Sequence, residues 1–168
     1  PYTAYLKIAE GCSNGCAFCI IPKLRGRYRS RTVASLVAEA KKLAASGVKE
    51  LIVIAQDITR YGLDLEEKAT LAQLLKELCR LDFHWIRLHY LYPEAVTDEL
   101  IQVIASEPKI LHYLDIPIQH CNDNILKAMR RRNTKAEIRA LSAKLRAAMP
   151  DVVIRTSLIC GLPGEGEE

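Results

Sequence analysis

Five short apolar runs alternate with segments of helical period along the whole chain, and no other feature limits its fold so tightly. The runs cover residues 4–9, 51–55, 85–90, 113–118 and 152–159. Between the first two, Val33, Leu36, Val37, Ala40, Leu43 and Ala44 recur at three- and four-residue steps, the repeat of one helix face, and Gly47 follows as a stop. Leu71, Leu74, Leu75, Leu78 and Leu81 repeat the pattern, and Thr97 ahead of Asp98 and Glu99 reads as the cap of a third helix. The fourth connection holds a short helical stretch (Ile125, Leu126, Met129) and a longer one (Ile138, Leu141, Leu145, Met149) that Pro150 ends. Strand–helix–strand repeated four times calls for parallel strands joined by right-handed crossovers. The expected fold is α/β, about five parallel strands with outer helices, wound as a partial (β/α) barrel or laid out as an open sheet. No repeat or linker divides it, so residues 1–168 read as one domain.

The 168 residues are 49% hydrophobic and 26% charged, which supports a full core and excludes a disordered chain. The longest purely apolar run, residues 51–55, falls far short of the ~20 residues that cross a bilayer, so no membrane is expected as a partner. Pro1 leads straight into a strand, and Gly166-Glu167-Glu168 falls where the helix after strand five is due. The expectation is a core domain cut from a longer polypeptide. Six cysteines in a chain of this size need not be staples. Three of them crowd into residues 12–19, the pattern of a metal site in a reducing, cytoplasmic compartment.

That segment reads Cys12-Ser-Asn-Gly-Cys16-Ala-Phe-Cys19 and directly follows the first strand, where parallel α/β folds present their working loops. Ser13, Asn14, Gly15 and Pro22 argue for a loop able to wrap three thiolates around one centre. A structural zinc closes with four ligands, and the next candidates, Cys79 and His84, stand about sixty residues on. Three thiolates suit an iron–sulfur cluster with one iron left open to a small molecule. Each later strand also ends in polar or turn-forming residues: Gln56-Asp57, His89-Tyr90, Gln119-His120 and Gly161 to Glu165. Any one of these reads as a solvated loop, but their recurrence on one rim makes a shared pocket the better reading. Asp57, His89, Tyr90 and Arg155 are the candidates for contact with substrate. His89 reads equally well as a core histidine, and Arg155 meets either a substrate carboxylate or a neighbouring acid. A carboxylate within strand four, Asp115, needs partners of its own.

The triad, with Phe18 before its third cysteine, resembles the signature of the radical S-adenosylmethionine enzymes. The resemblance implies a partial barrel, with Cys12, Cys16 and Cys19 holding a four-iron, four-sulfur cluster whose open iron chelates S-adenosylmethionine. Reductive cleavage then yields a 5′-deoxyadenosyl radical. It also implies that Phe18 and Gly161 lie near the adenine, Gln56 near the methionine group and Gln119 near the ribose. Cys79, Cys121 and Cys160 carry no cluster role in it.

Further strings are similar to the methylthiotransferase branch: Pro22-Lys-Leu-Arg25-Gly26 and Leu158-Ile-Cys160-Gly161-Leu-Pro163-Gly164-Glu165. Ile54-Ala-Gln56-Asp57-Ile-Thr59-Arg60-Tyr61-Gly62 and Arg87-Leu-His89-Tyr90-Leu-Tyr92-Pro93 resemble the enzymes of that branch that modify a ribosomal protein rather than tRNA. The implied reaction is methylthiolation at the β-carbon of an aspartate on a small-subunit ribosomal protein. One S-adenosylmethionine would methylate sulfur on an auxiliary cluster and a second would supply the radical. Relatives of this kind hold that second four-iron cluster in an N-terminal domain, and a flavodoxin-type protein is the expected electron donor. The alternatives are a tRNA methylthiotransferase and, from another class, a metal-stabilised RNA-binding module without catalysis. Lys23, Arg25, Arg27, Arg29 and Arg31 more than account for the net charge of +4. Loop 23–31 reads as a solvated shield over the cluster, with Arg25 and Arg31 offsetting its charge, or as an RNA contact in which Tyr28 stacks on a base. Arg130-Arg131-Arg132 reads as a second basic face.

Overall fold

The computed structural model describes residues 1–166; residues 167 and 168, on which the start of a helix after strand five was placed, lie outside the described residues. In chain order the first half holds β1 (Thr3–Lys7), β2 (Ala9–Glu10), α1 (Ile21–Arg25), β3 (Arg29–Ser30), α2 (Val33–Ala45) and β4 (Glu50–Ile54). The second holds α3 (Leu71–Cys79), β5 (Trp85–Leu88), α4 (Asp98–Ser106), β6 (Ile110–Asp115), α5 (Asp123–Ala128), α6 (Lys135–Ala148) and β7 (Val153–Arg155). Single 3₁₀ turns follow β4 (Ile58–Arg60) and β5 (Pro93–Ala95).

β1, β4, β5, β6 and β7 form one parallel sheet in that order. The spatial order never reverses the chain order. With right-handed crossovers every connecting helix then falls on the same side, which is the winding of a partial barrel and not of a doubly wound open sheet. Register fixes the two faces. Leu6, Val53, Leu88, Leu114 and Ile154 form a continuous row across all five strands. The first four are completely buried against the helices, and each contributes about 1.5–3 kcal/mol by leaving water. The alternate row is of another character: Tyr5, Ile52 and Arg87 on one side of the sheet, Asp115 and Arg155 on the other. Tyr5, Trp85 and Val153 are exposed there.

The helices end where their residues dictate. Thr70 and Gln73 form a reciprocal capping box at α3, Thr134 and Glu137 another at α6, and Thr97 caps α4. α3 buries Leu71, Leu74, Leu75 and Leu78, the expected stripe. β6 starts three residues earlier than the apolar run implied, and ladder pairing after Asp115 is interrupted by Pro117, which has no N–H to donate. The pairing resumes as a single bridge between Gln119 and Leu158. The small antiparallel pair β2–β3 and the single-turn α1, opened by Pro22, were not expected; two-residue strands carry no periodicity to read. No helix among the described residues is long and apolar enough to cross a membrane.

At the α3 cap, Thr70→Ala removes the bond that the Thr70 hydroxyl accepts from Gln73 N–H and leaves the reciprocal bond from the backbone N–H of residue 70 to Gln73 Oε1. The expected loss is about 1 kcal/mol, seen as a thermal midpoint lowered by roughly 2–4 °C for a domain of this size; an unchanged midpoint would mean the cap contributes nothing.

Candidate active site

Residues 11–20 carry no regular structure, yet three separate elements hold them. Gly11 makes this possible at φ +78°: a Cβ there would come within 2.3 Å of the Arg27 carbonyl oxygen. That close approach lets Cys12 N–H donate to Gly26 O at 3.1 Å, seating the loop on the β2–β3 hairpin. Asn14, almost fully buried, donates from Nδ2 to Asp57 Oδ2 at 2.8 Å, at the end of β4. Ala17 N–H donates to Met129 O at 3.0 Å, at the end of α5.

So anchored, Cys12, Cys16 and Cys19 line one cavity of about 450 Å³. Gln56, Tyr90, Gln119 and Phe18 share its wall, the first three from the carboxyl ends of successive strands. Tyr90 (φ +65°) and Gln119 (φ +71°) both sit in the left-handed region. Two side-chain-bearing residues there, on one wall, mark backbone held against local preference. Gln56 Oε1 is buried without a hydrogen-bond partner, the condition of an acceptor waiting for a donor from a ligand.

The cavity also contains a cation that its local sequence did not single out. α5 ends in a Schellman arrangement: Arg130 turns left-handed (φ +57°), its N–H donating to Lys127 O, while Arg131 N–H reaches Leu126 O at 2.8 Å. The reversal sends Arg131 inward. Its guanidinium is buried, donates to Pro117 O at 3.0 Å, lies 3.8 Å from the Tyr92 ring centroid and comes 4.0 Å from Cys16 Sγ. Arg130 and Arg132 remain exposed. The reading of residues 130–132 as one outward basic face is therefore corrected for Arg131. Tyr92 Oη lies 2.8 Å from Cys16 Sγ; burial, then that contact, pushes its ionisation well above the ordinary tyrosine range, so the phenol keeps its proton. Burial likewise raises the Cys12 thiol, and the neighbouring Asp57, Cys16 and Cys19 add to the rise.

Other assigned residues stand elsewhere. Asp57 is fully buried and is not a wall of the cavity: besides Asn14 it accepts from Thr59 N–H at 3.0 Å and pairs with Arg60 at 3.3 Å. Its carboxylate ties the cysteine loop to the end of the sheet. Tyr28 is unavailable for base stacking, because its ring packs on the core and its hydroxyl donates to Asp57 O at 2.7 Å. Arg31 turns from the cysteines to join Lys7 O, Ser35 and Glu39, while Lys23, Arg25, Arg27 and Arg29 remain exposed. His89 is part-buried, 3.8 Å from Asp115, and Arg155 pairs with Asp115 at 2.6 Å. Gly161 (φ +79°) stands outside the cavity lining, though Leu162 and Pro163 join Phe18 and Met129 around an adjoining hollow of about 260 Å³. Cys79 is buried in α3, its thiol pushed up to about 12, and Cys121 and Cys160 are exposed.

The three thiols suit a particular kind of guest. Among the described residues no three His, Cys, Asp or Glu side chains gather closely enough for a single metal ion. The three cysteines line one cavity, and a multi-iron cluster takes one thiolate per iron. Cys12, Cys16 and Cys19 are the residues that would hold it, with Gln56, Gln119 and Arg131 facing the remaining volume.

The family model of the radical SAM superfamily matches residues 6–168. The ribosomal protein uS12 methylthiotransferase RimO of Citrifermentans bemidjiense is 61% identical over 165 residues, covering 98% of this chain and 37% of that relative. The same enzyme from Geobacter sulfurreducens is 57% identical over 168 residues, 99% of this chain and 38% of its own length. The chain thus spans little more than a third of these relatives. Among solved structures, the radical S-adenosylmethionine methyltransferase TsrM of Kitasatospora setae, with cobalamin and a four-iron, four-sulfur cluster bound, superposes at a TM-score of 0.75 over 97% of this chain and 32% of its own, at 20% identity. The cobalamin-dependent enzyme OxsB follows at 0.70 and 16%, covering 92% of this chain and 23% of that one. At such identities they attest the fold.

Two predictions follow from the geometry. Gly11→Ala forces the hairpin away from the cysteine loop and costs about 1–3 kcal/mol. Gly15→Ala, whose Cβ meets nothing within 4 Å, costs less. Urea melts that rank the two the other way would contradict the close-approach argument. The second concerns Glu165, which accepts from His120 Nε2 at 3.2 Å and from the amides of Gly161 and Leu162. Those contacts, His120 first, hold its carboxyl below the ordinary 4.5. A depressed carboxylate orders this glycine loop above its unfolded value and releases it as pH falls through the folded one. The amide shifts of Gly161 and Leu162 should move together with a midpoint under 4.5; a midpoint at or above it would remove Glu165 from that role.

Proposed function

The chain belongs to the radical SAM superfamily, and from that premise we propose that it is the cluster-bearing, S-adenosylmethionine-cleaving unit of a methylthiotransferase acting on ribosomal protein uS12. The observation that carries the reading is the single cavity lined by all three thiols together with an unpartnered Gln56 Oε1 and a buried Arg131. The two relatives named above bear that activity in their names, and the substrate is inferred from them.

In this reading Cys12, Cys16 and Cys19 hold the four-iron, four-sulfur cluster. Bound there, it supplies the electron that divides S-adenosylmethionine into methionine and a hydrogen-abstracting 5′-deoxyadenosyl fragment. The chain's own residues do the rest. Gln56 Oε1 accepts from the amino group of the methionine moiety, and Arg131 presents its charge to the carboxylate. Gln119 hydrogen-bonds the ribose, while Phe18 and the Gly161 loop border the adenine. Tyr92 donates to Cys16 and Arg131 offsets its charge, which favours the thiolate over the thiol. Tyr90 closes the wall and limits water. Sulfur transfer needs a second cluster; Cys79 lies in α3 and Cys121 and Cys160 in two separate loops, so its ligands are expected from the longer relatives' additional sequence. The electron donor would be a flavodoxin-type protein. The exposed Lys23, Arg25, Arg27 and Arg29 would contact ribosomal RNA beside the substrate protein.

Anaerobic reconstitution tests the core of the proposal. Close to four irons and four sulfides per chain are expected, with Cys16→Ala losing most of both, and reduction in the presence of S-adenosylmethionine should release methionine and 5′-deoxyadenosine. Bound zinc without sulfide would sink the enzyme reading and leave a metal-stabilised RNA-binding module. To identify the substrate, residues 1–168 can replace the matching segment of the Geobacter sulfurreducens relative. Methylthiolation of uS12 by the chimera is the expected result, and modification of tRNA alone would reject the assignment.

A further inference from the structure

Asp115 and Arg155 are direct partners in register on β6 and β7, so both side chains lie on the inner face of the sheet, the face that helices leave uncovered. Asp115 is wholly buried. Its Oδ1 accepts from Arg155 Nη1 at 2.6 Å, while Oδ2 has no hydrogen-bond partner and His89 Nδ1 stands 3.8 Å away. Arg155 is the reverse case. Half of its side chain is exposed, and among the described residues Asp115 is the guanidinium's only hydrogen-bond partner. One corner of a planar fork is clamped from below and its remaining N–H groups point to open space. Tyr90, close enough to act electrostatically on Arg155, is itself a wall of the cysteine cavity.

Fold stability does not account for this pair. A buried carboxylate answered by a cation that is half in water gains less than an apolar pair of the same volume would. We propose that Arg155, oriented by Asp115, is the receptor for a carboxylate of the substrate: an acidic side chain of a polypeptide brought to the inner face beside the cysteine cavity. The inference rests on that cavity being the reaction centre, and what it adds is the residue that would hold the substrate's acid.

The chemistry favours a carboxylate over a nucleic-acid backbone. A guanidinium fork takes either a carboxylate or a phosphate through paired N–H bonds. Binding a run of phosphates, however, needs a surplus of positive charge. This face has none, since Lys7 is paired with Glu10, Arg87 with Glu50 and Arg155 with Asp115. A single half-free fork among balanced charges suits one isolated acid.

The test is a titration of the reconstituted chain, labelled with ¹⁵N at arginine side chains, followed at the Arg155 Nε–H. The probes are N-acetyl-aspartate amide, N-acetyl-asparagine amide and inorganic phosphate. A saturable shift with the aspartyl probe and little response to the asparaginyl one is expected. Arg155→Lys keeps the charge and the pairing with Asp115 but loses the fork; read through the Tyr90 amide, its affinity for the aspartyl probe should fall roughly tenfold. Asp115→Asn should erode the preference for aspartyl over asparaginyl probe, a readout that loss of stability alone does not move. Equal response to the two amides, stronger saturation by phosphate, or full affinity in Arg155→Lys would overturn the proposal. Iron and sulfide counted on the same samples report separately on the cavity, so a failed titration of loaded protein condemns the receptor and not the cluster.

Discussion

Asn14 and Asp57 meet across 43 residues of sequence where both are buried, and that bond ties the loop of Cys12, Cys16 and Cys19 to the end of the sheet. Asp57, three residues past β4, caps the 3₁₀ turn that follows, and its carboxylate gathers Asn14, Thr59 and Arg60 around it. Its backbone carbonyl takes the Tyr28 hydroxyl as well. Removing the carboxylate would leave the buried Asn14 amide without its acceptor and the part-buried Arg60 without its ion-pair partner, which is costlier than the mean value of a hydrogen bond. A cysteine loop without secondary structure can thus be rigid, because its order is borrowed from a strand end. That is the condition for holding three thiols around a cavity instead of letting them collapse on one another.

The sheet supplies the second half of the arrangement through parity. Because side chains alternate, the row from Leu6 to Ile154 that seals the helices to the sheet forces the next positions, Arg87, Asp115 and Arg155, onto the opposite face. Any one-residue slip would bury the charges under the helices and expose the leucines, so register is strongly specified. The same constraint delivers Gln56, Tyr90 and Gln119 to one rim. Core packing and site assembly are therefore one requirement met by the same strands.

Much of this was legible in the residues, for identifiable reasons. The strands and the α2, α3, α4 and α6 helices announce themselves through period and caps, which are local. The cysteine triad is legible because its spacing is local too. Arg131 is the instructive miss: within a run of three arginines its inward course depends on Arg130 adopting a left-handed turn, and the thiol it approaches is 115 residues away. Asp57 was legible as a site residue but not as a buried anchor, since nothing near it in sequence reveals Asn14 as its partner. Tyr28 misleads for a similar reason: an aromatic amid basic residues suggests base stacking, whereas its ring is claimed by the core.

The two buried aspartates differ in a way that bears on where ligands belong. Both lie at or just beyond the carboxyl ends of adjacent-region strands, and both are completely excluded from water. Asp57 has hydrogen-bond donors on both oxygens, and such a group is finished: it holds structure and asks for nothing. Asp115 has one oxygen bonded and one bare, and the arginine it holds is open on its outer side. Native interiors rarely leave polar atoms unanswered. Of the other side chains with unanswered atoms, Gln56 and Arg131 line the cysteine cavity, while Arg60 and Asn133 stand outside its lining. Incomplete hydrogen bonding thus recurs at the strand ends around the thiols and on the inner face beside them. The gaps at Gln56, Arg131 and Asp115 fall where a cofactor and an acidic side chain would have to meet.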